Sequence, residues 1–367
     1  MVRLALVAVG AVVAGVFALP ESRASLHHPD DPMALTVNAK DEPQALEFGE
    51  FGRRRLVLMN AGNATWPLER ADPTDPAKKT RSDRGVLKDR IDRRLKLRER
   101  SELDNVALAV DWLRFGQPDE AAAALRGARR GFLPNITLAH IAIAQNSREH
   151  PTWAQAFEYL DIANAEAPPK QFPGLTPQQL AWQLKLNRGP LLKLVQLRMQ
   201  EARAKPAPES ELPDALFPVN FADTAPDGLL SPAERAKLSP DALATVQQLI
   251  LWFPHDTRLY WLLAELYAAR GEYRPAQKIM DECVSSLTYS NRKALVQHRE
   301  AVAKAAAQLA PPPDDPLLGQ PDKTDADDTP APPFTLGAVW LYFGAVGLVA
   351  LFAGVRAVLK WRKGAAR

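Results

Sequence analysis

Residues 257–290, TRLYWLLAELYAARGEYRPAQKIMDECVSSLTYS, decide the fold. In the first half Leu259, Tyr260, Leu263, Leu266 and Tyr267 recur every three or four positions, the spacing of one apolar stripe along a helix. Arg270-Gly271 breaks the period, because glycine accepts the left-handed turn that ends a helix. The second half resumes it with Ala276, Ile279, Met280, Cys283 and Leu287. A pair of short helices cannot bury all of its own apolar surface, so the pattern predicts neighbours stacked against it.

The stretch resembles a tetratricopeptide (TPR) repeat. The family's first aromatic, Leu-small pair, second aromatic, turn glycine, small alanine and bulky apolar residue correspond to Tyr260, Leu263-Ala264, Tyr267, Gly271, Ala276 and Met280. Cys283 stands where the family usually carries Ala, and Thr288 where it usually carries Pro. Weaker copies follow from self-comparison. Residues 102–135 offer Leu108-Ala109, Trp112, Gly116, the run from Pro118 to Ala121, Leu125 and Ala128. Residues 137–170 offer Ile143-Ala144, Trp153, Ala156, Leu160, Ala163 and Pro168, with Pro151 replacing the turn glycine and Ser147 the second aromatic. Ala242, Val246, Leu249 and Pro254 read as the second half of a further unit.

Between the copies the pattern loosens. Thr176-Pro177 starts a helical pair through Leu180, Leu184, Leu191, Leu194, Val195 and Leu197, interrupted at residues 187–190. The proline-rich residues 205–232 read as a loop or insertion. Residues 291–309 form an amphipathic helix through Leu295, His298, Val302, Ala305 and Leu309, fit to cap a repeat array. Leu56-Val57-Leu58-Met59 is readable as a short strand closed by a turn at residues 60–63. Asn135 suits the cap of a following helix. The predicted fold class is all-α: a TPR-like helical-hairpin solenoid with degenerate repeats over residues 84–309, plus a single transmembrane helix. Residues 25–83 stand before it as a poorly defined segment.

Both ends are hydrophobic, and they differ in kind. Residues 4–18 are an uncharged run behind Met1-Val2-Arg3, followed by Ser22-Arg23-Ala24, which has the form of a signal peptide over residues 1–24. Residues 334–355 are uncharged and just long enough to span a bilayer's hydrocarbon core. Arg356, Lys360, Arg362, Lys363 and Arg367 follow them, while six aspartates between Asp314 and Asp328 precede them. Positive flanks stay cytoplasmic, so residues 356–367 are expected inside and the repeats outside, on a bacterial inner membrane. Residues 310–333, rich in Pro and Asp, read as an extended stalk.

The sequence offers little chemistry. A net charge of +3 is small for a chain of this length, and the basic excess is local to Lys78–Arg100, with Leu87, Ile91, Leu95 and Leu97 interleaved. That stretch reads first as a solvated helix before the first repeat, and second as a contact for anionic headgroups or an acidic partner. The single cysteine, Cys283, permits no intrachain disulfide and lies on a buried stripe. No haem-attachment, zinc-protease, nucleophile-elbow or phosphate-loop motif is present, and the histidines, His27-His28 apart, are scattered singly. No catalytic residue, metal site or cofactor is expected.

These readings imply a non-enzymatic scaffold, tethered outside the cytoplasm, that holds a protein or peptide and no nucleic acid. Its groove would be lined by the first helices of the pairs, through Arg258, Trp261 and Glu265 on one and Ile141, Gln145 and Arg148 on another. Trp261 is the expected anchor. The alternatives are an accessory subunit assembled through its transmembrane helix, whose Gly347, Ala350 and Gly354 also permit self-association, and an enzyme with an unrecognised site in residues 171–256.

Overall fold

A computed structural model describes residues 34–37 and 43–309, apart from residues 73, 128–130, 148–149, 171, 173–174, 204–212, 222–228, 257, 286–288 and 290. The expected signal peptide, stalk, membrane span and basic tail lie outside these residues, as does Arg148. Among the described residues no helix is long and apolar enough to cross a membrane. The described chain is mostly helical, in agreement with the all-α expectation.

Helical hairpins form where the periodicity placed them. Helices α3 (Glu102–Arg114) and α4 (Pro118–Ala124) pack together, as do α5 (Phe132–Gln145) with α6 (Trp153–Ala165) and α11 (Arg258–Ala269) with α12 (Tyr273–Ser285). The first and last of these hairpins turn in the same way. Gly116 and Gly271 both adopt positive φ, 80° and 79°. The residue after each glycine donates back to a carbonyl near the helix end, Gln117 N to Trp112 O at 2.9 Å and Glu272 N to Tyr267 O at 3.0 Å. These are paired glycine stop signals of the Schellman kind. Ser101 and Asp104 start α3 with a reciprocal capping box.

Other readings are corrected. Leu56–Met59 belongs not to a strand but to helix α1 (Phe48–Gly62), whose Phe51, Leu58 and Ala61 fall on one buried stripe. A short apolar run fits either period, and here packing against α3 and α10 (Ala242–Trp252), the helix that follows the one-turn α9 (Pro232–Arg235), selects the helix. Asn135 lies inside α5, donating from its amide to Gly131 O at 2.8 Å, rather than at the helix start. The expected break at residues 187–190 is not a hairpin turn. Helix α7 (Pro177–Leu186) runs through a π-turn (Asn187–Leu191) straight into α8 (Leu192–Arg203), and the wider turn accommodates Pro190, which lacks an N–H.

The two short antiparallel hairpins were not expected: β1 (Leu35–Val37) with β2 (Pro43–Ala45), and β3 (Glu69–Asp72) with β4 (Asp75–Arg81). The first is fastened to α10 by two buried glutamines. Gln247 accepts from Leu46 N at 2.9 Å, and its amide donates to Leu46 O at 2.9 Å and to the Tyr267 hydroxyl at 2.8 Å. Gln248 accepts from Ala34 N at 2.7 Å. Ala34, Leu46, Phe51 and Leu58 therefore join the main core, which runs on to Leu295 and Val302 of α13 (Arg292–Ala307). The core of the described residues lies within residues 34–309. Helix α2 (Asp83–Leu95) docks through a satellite cluster of Ala61, Leu87, Ile91 and Leu108. Its Arg90 and Arg94 both pair with the buried Asp111 of α3.

Candidate functional site

Of the six residues expected to line one groove, Arg148 lies outside the described residues, and the other five do not form an exposed lining. Every residue from Leu259 to Ala269 is buried, because α11 packs against α10 and α12 while α13 and Tyr289 cover the face that the apolar stripe leaves. Trp261 is fully enclosed. Its indole N–H donates to Glu265 Oε1 at 2.8 Å, and the same oxygen meets His298 Nδ1 at 2.7 Å. Its backbone N–H donates to the Tyr289 hydroxyl at 3.2 Å, with the two rings edge to face at 5.2 Å. Trp261 is therefore a core residue and not an exposed anchor. Ile141 is buried as well, and half-buried Gln145 donates to Asp119 Oδ1 at 2.7 Å.

Three ionisable groups in this cluster are perturbed, and burial pushes the Tyr289 hydroxyl up. Burial opposes charge on His298, but the hydrogen bond and the charge of Glu265 more than offset it, and its pKa lies above the ordinary value. Burial pushes the Cys283 thiol up to about 12, against a smaller opposing effect of the Tyr289 hydroxyl. A thiol so placed is not a nucleophile near neutral pH.

Arg258 belongs to a different constellation. It pairs with Glu201 of α8 and lies 3.5 Å from Asp214. Arg198, also on α8, binds both oxygens of Asp214 at 2.7 Å and reaches Asp256 at 3.2 Å. Burial alone would make Arg198 easier to deprotonate, but Asp256, Asp214 and Glu201 together hold its pKa above the ordinary value. Two guanidinium groups and three carboxylates thus tie α8, residue 214 and the α10–α11 turn into one frame. A buried charge set of this kind positions its elements more than it stabilises them.

That frame forms one wall of a cleft of about 470 Å³. The other walls come from Leu58 and Gly62 of α1, the end of α3 with Gly116, the second half of α5, and Trp153 at the start of α6. The floor is aromatic. His140 stacks on Phe253 with ring centres 5.0 Å apart and stands edge-on to Trp252 at 5.0 Å. Arg114, at the last position of α3, donates to the carbonyls of Leu251 and Trp252 at 2.8 and 3.1 Å, fixing the end of α10 beneath the opening. There a cation also complements the helix dipole. Arg84 does the same for α1, donating to Ala61 O at 2.8 Å while lying over the Phe115 ring at 3.7 Å. Gly116 is required at the rim: a Cβ there would come within 2.8 Å of Gly62 O.

The lining pairs apolar and aromatic surface with a few polar groups at the rim, Asn146, His255 and Asp256. The described lining residues include His140 and His255 and neither serine nor cysteine. The cleft can enclose an apolar or aromatic side chain. Sequence reasoning passed over it because its residues come from segments far apart in the chain. The one local signal was the Trp252-Phe253-Pro254-His255 run, an aromatic pair at a helix end.

Compared with known proteins, the chain matches no protein-family model, no curated protein and no solved structure.

Proposed function

We propose that this protein is a non-enzymatic scaffold, tethered to a bacterial inner membrane, that holds a protein or peptide segment outside the cytoplasm. In this reading the hairpins at α3–α4, α5–α6 and α11–α12 are degenerate TPR-like units, and residues 334–355 are the anchor. The carrying observation is the open aromatic cleft between α3, α5 and the α10–α11 turn. A preformed concave site with an apolar floor and sparse polar rim suits an apolar side chain presented on a backbone. The test is a photo-cross-linking amino acid at Ala144, which is exposed at the cleft, compared with one at the exposed Val86, which does not line it. A discrete adduct from position 144 alone is expected. Equal adducts from both positions, or none from 144 with the chain folded, would sink the reading.

The sequence supports a second reading, an accessory subunit assembled through residues 334–355, because Gly347, Ala350 and Gly354 place small residues on one helix face. Exchanging that segment for an unrelated span separates the two: the scaffold keeps its adduct, the subunit loses its complex.

A further inference from the structure

We propose that the corner between α2 and α3 is a docking surface for an anionic lipid bilayer. Helix α2 spends two of its basic residues inward, Arg90 and Arg94 on Asp111. Arg93, Lys96, Arg98 and Arg100 are exposed instead, and none of the four makes an ion pair among the described residues. Leu95, Leu97 and Leu103 stand among them, 47%, 45% and 45% exposed. The acidic groups on the same corner are Glu99, Glu102 and Asp104, and Asp104 is taken up by Ser101 in the α3 cap.

Single exposed leucines need no explanation, but here three fall within residues 95–103, interleaved with the exposed Lys96, Arg98 and Arg100. That composition fits an anionic membrane interface. Leucine side chains enter the headgroup boundary while arginine and lysine meet lipid phosphates. A nucleic acid would reward the charges and gain nothing from the leucines, and residues 93–104 carry no aromatic ring for a base to stack on. An acidic protein surface would likewise leave the leucines in water. The inference draws on the membrane-tethered reading only for where a bilayer would be met.

The experiment therefore uses residues 25–309, which lack both the hydrophobic run at residues 4–18 and everything from residue 310 onward and retain the core of the described residues. Its partition is measured onto vesicles of phosphatidylcholine alone and onto vesicles with phosphatidylglycerol added. Binding to the anionic vesicles only, weakened by salt, is expected. A basic side chain near such a surface is worth about fivefold, so the combined Arg93→Gln, Lys96→Gln, Arg98→Gln and Arg100→Gln variant should lose about six hundredfold. The combined Leu95→Ser, Leu97→Ser and Leu103→Ser variant should lose about tenfold or more. All seven positions are exposed, and unchanged far-UV circular dichroism verifies the fold. An environment-sensitive dye on Leu97→Cys should shift to the blue on anionic vesicles. The proposal is overturned if the wild type ignores anionic vesicles, if the basic variant binds as well, or if double-stranded DNA is bound more tightly and the leucine variant is unaffected. Failure of the photo-cross-link or of membrane anchoring would leave these outcomes untouched.

Discussion

Replacing Trp261 by Ala separates a core residue from a groove anchor. Truncating a fully buried tryptophan costs roughly 3–5 kcal/mol through lost transfer energy and the cavity left behind. The indole N–H also satisfies Glu265 Oε1 in the interior. Losing that donor leaves a buried carboxylate oxygen with His298 as its remaining partner and adds about 1–3 kcal/mol. The expected total is about 4–8 kcal/mol, comparable to the whole stability of many domains. Trp261→Phe keeps most of the apolar volume and loses chiefly the hydrogen bond, so about 1–3 kcal/mol is expected. Urea unfolding followed by far-UV circular dichroism measures both, with the denaturant slope checked for constancy. The reasoning is refuted if Trp261→Ala costs less than about 1.5 kcal/mol with helicity retained, because an enclosed indole cannot be removed so cheaply.

The His298–Glu265 pair makes stability depend on pH. Its folded pKa is raised, so its contribution is complete below the unfolded value of about 6.5 and is lost as pH rises through the folded pKa. The melting temperature of His298→Gln should therefore fall furthest below wild type in acid and approach it as pH rises; a gap independent of pH would contradict this. Gln247→Leu strands the Leu46 N–H and carbonyl and the Tyr267 hydroxyl, all three of which the glutamine now serves. A loss of about 2–4 kcal/mol is expected, together with faster amide exchange at Leu46 in hydrogen-exchange mass spectrometry. Unchanged protection there would show that the hairpin is held by other contacts.

Local signals survived the comparison with the structure. Gly116 and Gly271 were readable as helix stops because a left-handed residue is a property of one position, and both glycines adopt it. Thr176-Pro177 was readable as a helix start for the same reason, and the Thr176–Gln179 capping box forms there. The stripe Ala276, Ile279, Met280 and Cys283 is buried as its spacing requires. Failures came where the deciding partner is distant. Leu56–Met59 fits a strand by itself and is helical because α1 lies across α3 and α10. Trp261 sits opposite the apolar stripe, which marks a solvent face on an isolated hairpin. Tyr289 and His298 cover that face after the chain returns.

The amino-acid order by itself determined that residues 257–290 form two helices around Gly271, and that similar pairs recur upstream. Spacing of three and four residues, a turn glycine and a capping threonine act within a few positions, where the backbone's own geometry leaves few alternatives. Only the tertiary structure decided which faces see water. The cleft exists because Arg114 and Arg84 hold helix ends from elsewhere in the chain and because Arg198, Asp214 and Asp256 lock α8 to the α10–α11 turn. Those contacts join residues up to 138 positions apart. No local period encodes them, because a side chain's exposure depends on everything that packs over it.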